Sequence, residues 1–182
     1  VVDYVECLNL ALFQHITATS MSGVLFRREL FDGQTFCSTR FEDLDIAYRL
    51  ILRAERIALL SADVYFYRQH EASYIHIASR ARFDVLDVVD RMVEFIAREC
   101  PAALRAAESR RFAAHCNAYS MLLHAPAGML SPAERTAIKS RCLDAIRRYR
   151  FQELFGRRTR LRNRLGALLA YFPPLLRLSL SH

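Results

Sequence analysis

From Asp43 onward, apolar side chains recur at helical spacing. Ile46, Ala47, Leu50, Ile51 and Ala54 form one stripe, while Arg49, Arg53 and Glu55 fall off it. The same period is clearest over residues 82–98. There Phe83, Leu86, Val89, Met92, Val93 and Ile96 face one way, and Asp84, Asp87, Arg91, Glu94 and Arg98 face elsewhere. Cys100-Pro101 closes that helix, because a residue before proline avoids the helical region. Pro101 suits the first position of a further helix, which the spacing carries to about Leu123. "SPAE" at 131–134 is a capping box with proline in the first turn, and it opens a helix through Ile138, Cys142, Ile146 and Tyr149. Residues 3–15 also read as helix, with Val2, Val5, Leu8 and Phe13 on the apolar side.

Between the first helix and residue 82 the pattern is different. Val24 to Phe26 is a short β-type run after Gly23, and Arg28 to Phe31 makes one helical turn. "DGQTFCSTR" carries turn chemistry. "RIALLS" (56–61) and "DVYFYRQ" (63–69) have the Val, Ile and Tyr content of strands, with Asp63 in the turn between them. "HEASYIHIASR" follows as a loop. The expected class is therefore α+β, mostly helical. A few short strands come first and a helical C-terminal region follows. The expected divisions are 1–80, a helical extension over 81–150, and a basic amphipathic tail over 151–182.

Charge sharpens the last division. The net charge is +7 over 182 residues. From Arg147 to the end, nine arginines stand against one acid, Glu153, so the rest of the chain is close to neutral. In the tail the arginines alternate with Leu161, Leu165, Leu168, Leu169, Tyr171 and Phe172. That mixture suits the headgroup layer of an anionic membrane. Packing against another part of the protein is an equal reading. Nucleic acid ranks behind, because the interleaved residues are mostly Leu rather than stacking aromatics. No apolar run reaches the roughly 18 residues of a membrane span. The five cysteines are scattered and form no CxxC, which argues against a zinc site or a disulfide framework. The chain opens on "VVDYVECLNLALFQH", without Met and inside a helical pattern, and so reads as a fragment of a longer protein.

Two clusters could carry chemistry. Glu42-Asp43 stands where a loop meets a helix. A carboxylate there is a dipole partner for the helix start, or a general base that the junction holds still. Arg68, His70 and Ser73 fall together after the second strand candidate. Arginine grips phosphate or carboxylate through its planar fork, and histidine can bind phosphate or metal. Each also fits an ordinary polar loop.

The joint order of these elements resembles the C-terminal half of the catalytic domain of family 2 glycosyltransferases, the GT-A-fold enzymes that build bacterial surface glycans. The family shows an apolar, aromatic and basic run ending in Arg-Glu-Leu-Phe, then Glu-Asp opening a helix, then Tyr-Arg before a Ser. Here these stand at Leu25 to Phe31, Glu42-Asp43, Tyr67-Arg68 and Ser73, within about residues 15–80. The resemblance implies a partial GT-A α/β domain end over 1–80 and an inverting transfer from a nucleotide-sugar donor. The acceptor would be a surface glycan or lipid-linked. Asp43 would be the base, with Glu42 beside it, and Arg68, His70 and Ser73 would lie near the donor diphosphate or the site mouth. It also implies a divalent metal, Mn or Mg, whose main ligands belong to a preceding N-terminal half. "DLD" at 43–45 overlaps the base and is not read as the metal motif. Such an enzyme would work in the cytoplasm, peripheral to the inner face of the cell membrane, and this fragment alone would be inactive. The alternative is a non-enzymatic helical interaction or membrane-adaptor module in which the acids only cap a helix.

Overall fold

The structure, a computed structural model, describes residues 1–16, 19–38, 40–62, 65, 66, 68 and 79–169. Among these the elements are helical: α1 (Tyr4–Leu12), α2 (Glu42–Arg53), α3 (Val85–Glu99), α4 (Leu104–Leu123), α5 (Pro132–Phe155) and α6 (Leu161–Leu169). Single 3₁₀ turns cover Arg28–Phe31, Arg80–Asp84 and Pro101–Ala103.

The expected α+β class is corrected to all-helical. A strand exists only through its ladder, and among the described residues the candidate runs lack one. The run at 24–26 is extended chain without a pairing partner among the described residues. Within 56–61 only Ile57 pairs, in an isolated antiparallel bridge to Val2. The Val2 N–H donates to the Ile57 carbonyl at 2.8 Å, and the return bond is 3.2 Å. Most of 63–69 lies outside the described residues, and Tyr65, Phe66 and Arg68 are not in a strand. The β-type GT-A domain end implied for 1–80 therefore does not appear among the described residues.

Helix ends follow local chemistry. Asp3 caps α1, its Oδ1 accepting the Glu6 N–H at 2.8 Å. Ser131 and Glu134 form the reciprocal capping box at the start of α5. α1 stops three residues earlier than its pattern allows, at Leu12. Gln14 adopts φ 63° there. The His15 N–H reaches back to the Leu10 carbonyl at 2.8 Å and the Gln14 N–H to Ala11 at 3.0 Å, a Schellman-type closure.

α4 is the axis of the fold. It packs on α1, α3, α5 and α6. Ala106, Ala107, Ala113, Ala114 and Ala118 are buried around its circumference, with Phe112, Tyr119 and Leu122 among them. Small side chains let neighbouring helices approach from several directions. Leu8, Leu12, Leu86, Met92, Ile96, Phe112 and Ile146 are sealed from solvent in one continuous core. α2 joins it through Leu44, Tyr48 and Ile51, with Tyr48 against the ring of Phe95 on α3.

Ion pairs fix helix register. Arg141 on α5 spans two carboxylates of α3, Asp87 at 2.7 Å and Asp90 at 2.6 Å. Arg111 on α4 holds the other oxygen of Asp90 at 2.6 Å. Between α5 and α6 the chain turns at Gly156. A Cβ there would sit 2.7 Å from the Gln152 carbonyl oxygen, too close for any other residue without a backbone shift.

A non-glycine residue in the left-handed region costs about 1–2 kcal/mol, partly offset by the entropy glycine loses on folding. Gln14→Gly is therefore expected to stabilise the protein by about 0.5–1 kcal/mol, read as a higher urea midpoint at unchanged slope. An unchanged or lower midpoint would mean that the α1 terminus carries no strain.

Candidate functional site

The sequence sets Glu42 and Asp43 at the first two positions of α2, and the structure keeps them there. The residue before them is unusual. Phe41 takes the N-cap place with φ 70° and ψ 30° and offers no side-chain cap. A bulky residue in that region is strained by about 1–3 kcal/mol, and such strain clusters at functional junctions. Phe41 is held because its ring packs against the core and its carbonyl accepts the Asp45 N–H at 3.0 Å.

The two acids then part. Glu42 is exposed to solvent, whereas Asp43 is half-buried. Asp43 Oδ1 accepts the Leu44 N–H at 2.7 Å. Burial pushes the Asp43 carboxyl above the ordinary aspartate range and Glu42 pushes the same way, while the Leu44 N–H and Arg110 on α4 oppose them. Arg110 is in turn lowered by its own burial and raised by Asp43. Asp43 is thus a carboxylate more basic than usual, fixed at a helix start and facing one arginine.

The third acid of the stretch, Asp45, is the one most enclosed. Arg49 holds its Oδ2 at 2.6 Å and Arg91 on α3 holds its Oδ1 at 3.2 Å. Arg49 Nε also donates to the Asp45 carbonyl at 3.0 Å. Asp45 ties α2 to α3 and has no free oxygen to offer a substrate. The Asp45–Arg49 spacing of four residues was a readable signal for this pair. Arg91 and Arg110 lie far along the chain, and no local pattern points to them.

The second cluster separates. Arg68 is exposed. His70 and Ser73, like Tyr67, lie outside the described residues. The preceding segment does approach the "GVLF" run, since a Cβ added at Gly23 would meet the Tyr65 Cβ at 3.3 Å. A shallow concavity of about 330 Å³ opens at the other end of α2, lined by Tyr4, Gln34, Arg49, Leu52, Arg53, Phe95 and Glu99, away from Asp43. Among the described residues no three His, Cys, Asp or Glu are grouped to hold a metal ion. The resemblance places the main ligands of its divalent metal in a preceding N-terminal half. None of the described helices is long and apolar enough to cross a membrane.

One further titratable group is sealed in the core and went unnoticed in the sequence. His115 on α4 has no exposed surface. Its Nδ1 lies 2.8 Å from the Arg111 carbonyl, which can only accept, so Nδ1 carries the proton. Nε2 is buried without a hydrogen-bond partner among the described residues. Burial lowers the imidazole below its ordinary value, Arg111 and Arg141 act in the same sense, and Asp90 and the Arg111 carbonyl oppose them.

The sign of the pH dependence follows. Below about pH 6.5 the unfolded chain takes up a proton at this histidine that the folded chain refuses. Stability is therefore full above that pH and falls as pH drops toward the lowered folded value, by at most about 1.4 kcal/mol per pH unit. His115→Asn keeps a donor at the Nδ1 position and removes the titration. Urea midpoints measured from pH 8 to 5 are expected to fall more steeply for wild type than for this variant. Parallel curves would mean that His115 takes up its proton equally in both states.

No protein-family model matches the chain, and no curated protein or solved structure matches it either.

Proposed function

We propose that this chain is the acceptor-side part of an inverting glycosyltransferase with Asp43 as its general base. The observation that carries the reading is Asp43 itself: half-buried, raised in basicity by that burial, and fixed at the first turn of α2. A base must be ionised, immobile and stronger than a solvated carboxylate. Arg110 and the Leu44 N–H favour its ionised form, and burial raises its proton affinity.

In the proposed step Asp43 takes the proton from an acceptor hydroxyl. That oxygen attacks the anomeric carbon of a nucleotide-sugar, and the bond to the nucleoside diphosphate breaks. Glu42, exposed beside it, takes the acceptor-side role and Arg68 the donor-phosphate role that the resemblance implies. His70 and Ser73 keep the same assignment by resemblance only. The acceptor is a glycan or a lipid-linked glycan, and the reaction belongs at the cytoplasmic face of a membrane. No step here runs through a metal, whose ligands would have to come from outside the described residues.

A second reading has its own support. The regular elements among the described residues are helices gathered on α4, an architecture that also suits a non-enzymatic interaction module in which Glu42 and Asp43 serve the helix dipole.

Transfer from a panel of nucleotide-sugars by the protein in its full-length form separates the two. Asp43→Asn is nearly isosteric and is expected to cut turnover by about 10³-fold, with an unchanged helical spectrum and little change in KM. Near-normal turnover by Asp43→Asn removes the base. Absence of both turnover and nucleotide binding in the wild type supports the interaction module.

A further inference from the structure

The C-terminal end of the described chain shows large apolar side chains to solvent. Phe151 is 56% exposed and Phe155 76%, and Leu161, Leu165 and Leu168 are 72%, 50% and 49% exposed. They are not scattered. Phe151 and Phe155 are one turn apart on α5, in line with exposed Arg147. Leu161, Leu165 and Leu168 form a single stripe on α6, opposite the buried Asn163 and Ala167. On the helical wheel Arg162 and Arg164 border that stripe on either side. Arg157 and Arg160, both exposed, precede it.

The acid in this region completes the pattern. Glu153 is the sole carboxylate after Arg147 in the sequence. It has no exposed surface and is paired with Arg105 at 2.6 Å. The exposed side chains from Arg147 to Leu168 therefore include arginines and apolar groups but no carboxylate. Within this stretch Arg158 pairs with Glu6 at 3.0 Å, half-buried Arg164 donates to the Gly156 carbonyl at 2.7 Å, and exposed Arg162 reaches Asn117 on α4 at 3.4 Å.

From this we infer that the exposed face of α6, with the last two turns of α5, docks on an anionic lipid surface. Charge complementarity selects this occupant. Leucines can enter the headgroup and acyl boundary while flanking guanidiniums meet lipid phosphates. A second copy of the chain fits poorly, because a two-fold pairing would set this arginine-bearing, carboxylate-free face against an identical one. Nucleic acid would use the arginines but leave the leucine stripe in water. The inference stands apart from the transferase reading, since no sugar, nucleotide or Asp43 enters its test.

The test is co-sedimentation of the full chain with phosphatidylglycerol and phosphatidylcholine vesicles. Wild type is expected to bind the former and not the latter. Arg157→Gln/Arg160→Gln/Arg162→Gln is expected to bind roughly a hundredfold more weakly, at about fivefold per arginine. Leu161→Ser/Leu165→Ser/Leu168→Ser keeps every charge and is expected to lose about tenfold or more. Helical content and melting midpoint show that both variants fold, and these leucines are already solvent-facing. Failure of wild type to bind anionic vesicles overturns the inference. So does a leucine variant that binds as well as wild type, or a self-association that the leucine variant abolishes while no vesicle binding is seen. Binding to duplex DNA as tight as that to vesicles, and equal in the leucine variant, would make the face a polyanion site instead.

Discussion

Glu153 is a carboxylate with no exposed surface, and three helices meet on it. Arg105 and Ser109 reach it from α4, at 2.6 Å and 2.8 Å, and Asn163 reaches it from α6 at 3.3 Å. Asn163 also donates to Ser109 at 3.3 Å. A buried charge is tolerable only when its lone pairs are met, and removing one partner of such a set is typically far costlier than never having built it. The network therefore does little for net stability but dictates geometry. α6 is short, at nine residues, too short to persist by propensity alone. It keeps its place because Asn163 has a polar partner waiting in the core. The connection is clasped as well: Arg105 donates to the Gln152 carbonyl and Arg164 to the Gly156 carbonyl, each at 2.7 Å, and Arg158 bridges to Glu6 on α1.

That placement has two consequences. It turns Leu161, Leu165 and Leu168 outward, and it draws the one acid of the arginine-rich segment into the interior. A similar logic operates at α2 with a different outcome. Of its three acids, Asp45 is buried and fully occupied by Arg49 and Arg91, and Glu42 is solvated. Asp43 stands between, held by a backbone N–H yet faced by a single arginine. Burial, pairing and exposure separate three neighbouring carboxylates into a structural tie, a solvated charge and a candidate base.

The helices were legible where one face is buried and the other is wet. α2, α3 and the capped start of α5 fall within a few residues of their expected positions, because amphipathic spacing and caps are local signals. α4 was readable only at its ends. A helix buried on nearly all sides shows no stripe, and its alanines, Ser109 and His115 do not announce a core. The short strands misled because Val, Ile and Tyr content measures fitness for a sheet, not the presence of a partner. Among the described residues only Ile57 found one, in Val2. The position of Asp43 at a helix start was legible, but its burial and its facing Arg110 depend on how α4 packs against α2. The buried partners of Glu153 lie 44 and 10 residues away. The tail's single acid therefore looked like one more solvated charge.

The most direct test of this account is amide hydrogen exchange in Glu153→Gln. The amide oxygen can still accept from Ser109 and Asn163, but the amide nitrogen sets a donor against Arg105. The account predicts that α6 loses protection while α3 and the centre of α4 keep theirs. Unchanged protection in α6 would show that Glu153 does not hold that helix, and an equal loss across every helix would show a general core residue rather than a tie for α6.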